Sequence, residues 1–410
     1  MSRCKNKYFS EAGGKTLADG IRYPSGGGHI HSKCNQTWNT IWNRFYRKDT
    51  HLFYDYLSSY RSGSGLAHLP SADEVRRQYP NIYGYGTGME DCMISAGVIL
   101  TMIVDRYAVT GEETLQGSAD EAFQGIRLCA TAHGVPGFLA RAVCHEDLKS
   151  IYLNSSRDQY THAVHGLWHY FHSPLCSSTR KQEISSIVSA IADRMIRNVT
   201  PENDYDSLRA DGSRDTHGIS RMWNVKGHEV ARLPMIYATA WDMTGRKKYL
   251  ELYRKYLEPA VNQSAMFEED QLTYALLQMQ CSLELLSELE KDMTIKKKIR
   301  RIMVKASGLC TARAVNADTL AKNLDLGMPG PDWRKSGGLV GEYRKVWYCI
   351  RESGEAALVQ LIGDSGKFAH PQKNLLEEAI KRIDYGHVSS GGIFYLLAAY
   401  WKARRNGILS

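Results

Sequence analysis

The chain has 410 residues, 43% hydrophobic and 23% charged, which is an ordinary globular composition in a chain too long for one small core. Its formal net charge of +8 is small for this length. Basic residues are concentrated only at 295–301, so a nucleic-acid-binding groove is not indicated. We find no stretch long and apolar enough to span a membrane, and we expect no membrane insertion.

The first residues, MSRCKNK, lack the apolar run of a secretory signal. We therefore leave the compartment open: periplasmic or secreted if a signal has been removed, and cytoplasmic otherwise. Nine cysteines show no CxxC or other metal-binding spacing, and several lie in apolar helical stretches. They are predicted to be mostly buried free thiols. We expect no cofactor.

From about residue 35 onward, apolar residues recur at helical spacings of three and four. We therefore divide the chain into an irregular N-terminal segment, 1–34, and one helical domain, 35–410. Six helices are predicted to follow long Gly-rich or polar loops, starting near Glu90, Asp158, His228, Glu269, Glu342 and Val388. Six others separate them, near 36–58, 117–132, 180–198, 247–263, 292–307 and 373–384.

A short turn recurs between predicted helices. Thr110-Gly111 ends one helix and Thr244-Gly245 ends another, and in both places the next helix begins within a few residues. Glycine at a helix C-terminus supplies a left-handed cap, and short turns of this kind make antiparallel helix pairs. Twelve alternating helices therefore predict an all-α fold of six stacked hairpins, the (α/α)6 toroid.

Three segments of this pattern, 83–91 (YGYGTGMED), 155–160 (SSRDQY) and 227–245, resemble the six-hairpin glycosidase superfamily, and the resemblance covers roughly residues 35–405. It implies an active site in a cleft where the long loops meet the inner helices. The resemblance is nearest to the unsaturated-uronyl hydrolases, which use two acidic residues from successive inner-helix starts. The positions that match by this criterion are Asp91, or Glu90, and Asp158.

Gly84, Gly86 and Gly88 alternate just before Glu90 and Asp91. No strand precedes them and no βαβ unit follows, so they do not indicate a nucleotide-binding loop. We interpret the segment as a flexible loop that brings two carboxylates to the mouth of an inner helix. The alternative is helix capping, because acidic residues favour the first turn. We expect one of the two to do only that and leave open which one is catalytic.

The densest polar run on an apolar helix is 157–165 (RDQYTHAVH). Asp158, His162 and His165 fall on one helical face. Crowded ionisable groups perturb one another's pKa values, as general acid/base catalysis requires, so we predict that Asp158 is catalytic rather than only an N-cap. Tyr160 and His162 are predicted to contact substrate.

Four histidines on this helix, at 162, 165, 169 and 172, raise the question of a metal site. The first and last lie about 15 Å apart along the helix axis, which is too far for one ion. A site of His162 and His165 with a distant carboxylate stays open, but we expect no metal. We interpret His169 and His172 as ordinary helix-end histidines.

Further candidates for substrate binding lie in or beside the long loops: Arg141, Trp223, His228, Glu229 and Trp333. Arg141 can bind a carboxylate through its planar guanidinium, or it can hold its loop in place. His228 can bond sugar hydroxyls, and Glu229 is either a partner acid or the ion-pair partner of Arg232. The two tryptophans can stack on sugar rings, Trp333 being the better placed in its Gly- and Pro-rich loop.

These residues favour a glycoside hydrolase acting on an oligo- or polysaccharide, with uronic-acid-containing substrates preferred. Asp158 would be the general acid/base, and Asp91 or Glu90 the second carboxylate. One alternative is a polysaccharide lyase, in which Tyr160 or His162 removes a proton while Arg141 neutralises the uronate. The other is a non-catalytic glycan-binding protein.

The location of the ligand site is predicted independently of the reaction. The N-termini of the inner helices carry partial positive charge and should converge at one end of the ring. The deepest polar pocket is therefore expected at the long-loop end, lined by Asp91 or Glu90, Asp158 and His228. The oligomeric state stays open.

Overall fold

The computed structural model describes residues 27–54, 69–329, 341–363, 368–388 and 391–409. They form thirteen α-helices and one pair of two-residue strands, β1 (Tyr46–Arg47) and β2 (Leu52–Phe53). The helices are α1 (Gly27–Thr40), α2 (Ala72–Arg76), α3 (Cys92–Thr110), α4 (Leu115–Thr131), α5 (Arg157–His172), α6 (Ser178–Asn198), α7 (Arg232–Thr244), α8 (Lys247–Ser264), α9 (Thr273–Leu289), α10 (Met293–Ala321), α11 (Tyr343–Gly363), α12 (His370–Arg382) and α13 (Gly392–Arg405). Trp333 lies outside the described residues.

Six of these helices form a closed inner ring. Around it, α3 packs against α5, α5 against α7, α7 against α9, α9 against α11, α11 against α13, and α13 back against α3. The other six long helices, α1, α4, α6, α8, α10 and α12, alternate with them along the chain and cover the ring from outside. The predicted all-α (α/α)6 toroid is confirmed.

Inner and outer helices differ in burial, as their sequences require. In α3, every residue from Cys92 to Asp105 is buried, because neighbours surround the helix on all sides. In α8, the buried residues recur at helical spacing, so only one face meets the ring. The eight cysteines in the described residues are buried and form no disulfide, as predicted.

The two ends of the ring differ in their connections. At one end, α3 passes to α4 through Gly111 and α7 passes to α8 through Gly245, each with a left-handed φ of 67°. These are the predicted short turns. At the other end, long segments precede α5, α7 and α9, at 132–156, 199–231 and 265–272. The N-termini of these inner helices therefore lie at the long-loop end.

The start of the domain differs from the prediction. Helix α1 begins at Gly27, within the segment expected to be irregular, and the helical turns end at Phe45 rather than near residue 58. The chain then reverses, and β1 pairs antiparallel with β2. Leu52 and Phe53, which extended the apolar pattern, are buried in this hairpin against α3 and α4. Tertiary packing here overrides local periodicity.

Helix α3 corrects the expectation that no stretch is long and apolar enough to span a membrane. By length and composition it meets that criterion, and it is the one helix of the described residues that does. Most of α3 is buried inside the protein, and a buried core helix meets the same criterion of length and composition.

Helices α3 and α5 approach each other through glycines. A Cβ atom at Gly97 would lie 2.1 Å from the carbonyl oxygen of His162. A Cβ atom at Gly166 would lie 2.7 Å from the carbonyl oxygen of Gly97. The two backbones can be this close only because neither position has a side chain. This contact sets the distance between the helices that begin beside Asp91 and Asp158.

We expect Gly97→Ala to lower the free energy of unfolding by about 2 kcal/mol, because the α5 backbone must move to admit the methyl group. Gly117→Ala in α4 is the matched control, since nothing lies within 4 Å of the added Cβ atom. It should raise the free energy of unfolding by up to about 1 kcal/mol. Urea denaturation measures both, and equal effects would argue against the close crossing.

Candidate active site

The loop before α3 holds the first two carboxylates. Asp91 occupies the N-cap position of α3, but its side chain makes no capping hydrogen bond. Its Oδ1 instead accepts from Nε2 of Gln159 at 2.8 Å and from Nη1 of Arg141 at 3.3 Å. Oε2 of Glu90 accepts the backbone N–H of Gly86 at 2.9 Å. The capping alternative therefore does not describe the side chain of Asp91.

Asp158 lies in the first turn of α5 and is held from α7. Its Oδ1 accepts from Nη1 of Arg232 at 2.6 Å, and Nη2 of Arg232 donates to Oε1 of Gln278 on α9 at 2.7 Å. The Arg232 side chain is 2% exposed and that of Asp158 is 32% exposed. A buried guanidinium thus orients Asp158 and leaves part of the carboxylate open to solvent. Arg232 pairs with Asp158 and not with Glu229.

Helix α11 supplies two charged groups that sequence analysis did not select. Nε of Arg351 donates to Oε1 of Glu355 at 2.7 Å, and Glu355 is buried. Burial raises the pKa of Glu355, and the charge of Asp91 adds to this effect, so the two carboxyls are neighbours. The signal for them was the polar run 351–355 (RESGE) within an apolar helix, the same kind of signal that selected Asp158.

Two partly exposed tyrosine rings flank the carboxylates, Tyr85 at 39% and Tyr274 at 40% exposure. The ring of Tyr85 stacks on Tyr83 at a centroid distance of 4.9 Å, and the guanidinium of Arg141 lies 5.0 Å from its centroid. Burial raises the pKa of Tyr274, and the charge of Asp158 raises it further, which places the ring close to that carboxylate. Exposed rings with a polar edge are suited to stacking on sugars.

The carboxyls of this site have opposite pKa shifts. Burial raises the pKa of Glu90 to about 7, assisted by the charge of Asp91, and burial also raises the pKa of Asp91. Burial acts on Asp158 in the same direction, but the surrounding guanidinium groups, with Arg232 first among them, hold its pKa below the usual range. The raised pKa makes Glu90 the carboxyl that holds a proton most easily, and the lowered pKa favours the ionised form at Asp158.

A pocket of about 440 Å³ lies beside this group at the same end of the ring, and its lining includes Arg157, His217, Arg221, Lys226 and Glu229. Nη1 of Arg157 donates to the carbonyl oxygen of Arg221 at 2.9 Å, and its Nη2 donates to Glu229. Arg157, Arg221 and Lys226 line the pocket with one carboxylate, Glu229, and Arg221 also pairs with Asp204. The pocket therefore keeps a small excess of positive charge that attracts anions.

His228 and Trp223 are placed differently from the prediction. His228 is at the same end of the ring as Asp158, but its imidazole is buried between Glu229 and Glu268, with Nδ1 3.6 Å from Oε2 of Glu268. Burial lowers the pKa of His228. The half-buried ring of Trp223 packs edge-on against Tyr256 of the outer helix α8, at a centroid distance of 4.6 Å. Neither side chain is among the groups that contact the three carboxylates.

Tyr160 and His162 do not lie at the mouth of the ring. Tyr160 is fully buried, and its hydroxyl oxygen accepts the N–H of Leu139 at 3.2 Å. His162 is buried one turn deeper than Asp158 and lines a small cavity inside the ring; burial lowers its pKa to about 3. Tyr160 is two residues after Asp158 and therefore lies on a different side of the helix. His162 was selected because it shares a helical face with Asp158, but it lies one turn further into the ring.

No family model and no curated protein matches the chain. Among solved structures, it is similar to a sugar epimerase from a ruminal bacterium, with 12% identity and a TM-score of 0.49 over 90% of this chain and 98% of that chain. It is also similar to the cellobiose 2-epimerase of Spirochaeta thermophila, with 11% identity and a TM-score of 0.49 over 92% and 97% of the two chains.

A third similar structure is the GH76A α-1,6-mannanase of a Salegentibacter species, with 12% identity and a TM-score of 0.40 over 82% of this chain and 99% of that chain. The six-hairpin arrangement expected from the sequence is shown by the packing of the helices themselves. Nearness to the unsaturated-uronyl hydrolases stays a prediction.

Proposed function

We propose that the protein is a glycoside hydrolase that acts on an oligo- or polysaccharide containing acidic sugar residues. The main support is the grouping at the open end of the ring of Glu90, whose pKa burial raises to about 7, and Asp91 with Asp158, whose pKa the surrounding guanidinium groups hold low. Glycosidases require one carboxylic acid to protonate the leaving oxygen and one carboxylate on the opposite side of the scissile bond.

The pKa directions assign the roles. Glu90 or Asp91 donates the proton to the glycosidic oxygen. Asp158 acts as the carboxylate that activates water or attacks the sugar, rather than as the acid. Arg232 is a positioning residue, because its two N–H bonds to Asp158 and Gln278 fix the carboxylate on its buried side.

Substrate binding follows from the groups around the carboxylates. Tyr85 and Tyr274 offer ring faces to sugars. The Arg141 side chain is only 3% exposed and donates to Asp91, so we expect it to hold that carboxylate in place. The neighbouring cationic pocket accommodates an acidic sugar unit next to the cleavage point. The lyase alternative is less well supported, because the bases named for it, Tyr160 and His162, are buried.

Asp158→Asn and Asp91→Asn should each lower kcat by about 10²–10⁴-fold while binding of the intact oligosaccharide is retained, because each removes a proton-transfer or charge-stabilising group. A reducing-end assay on uronic-acid oligosaccharides measures turnover, and titration calorimetry measures binding. Asp242→Asn is the control, since Asp242 pairs with His172 near the short-turn end of the ring.

Unchanged turnover in folded Asp158→Asn protein would remove Asp158 from the mechanism. Accumulation of an ultraviolet-absorbing unsaturated product would identify elimination and favour a lyase. Binding without turnover in the wild-type protein, across neutral and acidic oligosaccharides, would favour a glycan-binding role.

The pH dependence of kcat/KM should be bell-shaped. The rate should rise with pH as Asp158 loses its proton, below the usual aspartate pKa of about 3.9. It should fall with a midpoint at about pH 7, where the raised pKa of Glu90 is reached and the acid form is lost. Glu90 is the acid if the Glu90→Gln variant shows no turnover. Asp91 is the acid if this variant remains active and its kcat/KM still falls on the alkaline side of the profile. A rate that increases through pH 7 would contradict the assignment.

The double variant Arg221→Gln with Lys226→Gln should weaken binding of a uronate-containing oligosaccharide by about tenfold, or ~1.4 kcal/mol, and leave a neutral analogue unaffected. Arg214→Gln is the matched control, because Arg214 and Arg221 both pair with Asp204 but Arg214 does not line the pocket. Equal losses of affinity for the acidic and the neutral ligand would show that the pocket does not discriminate between ligands by their charge.

A further inference from the structure

A second group of potential ligands lies inside the ring, deeper than the candidate active site. His165 and His169 of α5 face Glu284 of α9. Nε2 of His165 is 2.7 Å from Oε2 of Glu284, Nε2 of His169 is 3.4 Å from the same oxygen, and the two Nε2 atoms are 3.3 Å apart. The side chains are 4%, 3% and 12% exposed, so the three ligand atoms meet in the interior.

Two of these distances, 3.3 and 3.4 Å, match the edges of a tetrahedral coordination sphere, whereas the 2.7 Å between His165 and Glu284 is a direct hydrogen bond that a bound ion would replace. Zinc–nitrogen and zinc–oxygen bonds of about 2.0–2.1 Å imply neighbouring ligand atoms about 3.3 Å apart. Two histidines four residues apart lie on the same face of a helix, which explains how α5 directs both Nε2 atoms to one point. Glu284 completes a two-histidine, one-carboxylate set from the facing helix.

A small cavity beside His165 has room for one water molecule. This cavity of about 20 Å³ is lined also by Thr101, Asp105 and Lys402. A water molecule needs roughly 10–15 Å³ of such space and several polar partners, and this cavity provides both.

Lys402 is the main charge that opposes a bound cation. Its Nζ lies 3.5 Å from Oε1 of Glu284 and 3.7 Å from Oδ2 of Asp105. It therefore contacts the other carboxylate oxygen and leaves Oε2 to the histidines. Asp105 is also bound by Arg405 at 2.5 Å. Glu284 and Asp105 balance the charges of Lys402 and Arg405. The charge of an added metal ion would therefore have no counter-charge here, which lowers the affinity of the site for the ion.

We propose that His165, His169 and Glu284 form a binding site for a divalent transition-metal ion of the zinc class, with water as the fourth ligand. Imidazole and carboxylate donors without thiolate suit Zn²⁺ and its spectroscopic substitute Co²⁺. The sequence prediction of no metal rested on the length spanned by all four histidines of α5. A pair with the right spacing needs only one carboxylate from another helix.

The test uses the full chain, stripped with a chelator, then incubated with Zn²⁺ or Co²⁺ and dialysed. We expect about one equivalent of zinc by elemental analysis, and the visible d–d absorption of a tetrahedral site with Co²⁺. His169→Gln and Glu284→Gln should each weaken Co²⁺ binding at least about tenfold, since each removes a ligand. Lys402→Met should strengthen it.

His172→Gln is the matched control, because His172 is on the same helix but bonds Asp242 at 2.7 Å. It should bind metal as the wild-type protein does. Circular dichroism shows whether each variant is folded. If a variant does not fold, the zinc content and Co²⁺ absorption of the wild-type protein still test the proposal. The proposal is wrong if the folded wild-type protein retains no zinc and shows no Co²⁺ bands. It is also wrong if Glu284→Gln and His169→Gln retain the metal. These readouts do not depend on glycoside hydrolysis.

Discussion

The ion pair between Arg232 and Asp158 is the interaction on which the arrangement of the candidate site depends. Arg232 is almost wholly buried, and an unpaired guanidinium in that position would cost several kcal/mol. Its two partners come from the preceding and following inner helices, so satisfying one buried charge ties α5, α7 and α9 together at their N-terminal ends. Asp158 must remain ionised to meet this requirement, so its lowered pKa follows from the packing.

The same requirement explains why another carboxyl keeps a proton. The described groups around Asp158 include five carboxyls and four guanidinium groups: Glu90, Asp91, Asp158, Glu229, Glu355, Arg141, Arg157, Arg232 and Arg351. Asp91, Asp158, Glu229 and Glu355 each pair with one of these guanidinium groups, whereas the Glu90 side chain accepts the backbone N–H of Gly86. A buried carboxyl without a cationic partner is more stable in its neutral, protonated form. The raised pKa of Glu90 beside Asp91 shows where that proton is held most easily.

Sequence reasoning predicted the ring closely, because helices that must be buried on all sides or on one side carry that requirement in their apolar spacing. It placed Asp91 and Asp158 together because the N-termini of their helices meet in a toroid, and it placed Arg141 near them because its loop leads into α5. It missed Arg351 and Glu355 because α11 begins at Tyr343, more than two turns before the level of the site. Only the packing of α11 against α13 and α9 fixes that register.

Helix α5 shows why a polar stripe on a core helix is ambiguous in sequence. Asp158, His162, His165 and His169 share one face, yet each has a different environment along the ring. Asp158 is partly exposed to solvent and pairs with Arg232, and His162 is buried and neutral. His165 and His169 share Glu284. A buried polar group persists only where a neighbouring helix provides its partner. The chemistry available at each level of α5 is therefore decided by the residue that α7, α9 or α13 presents there, and the interior of the ring holds two separate charged groups divided by His162.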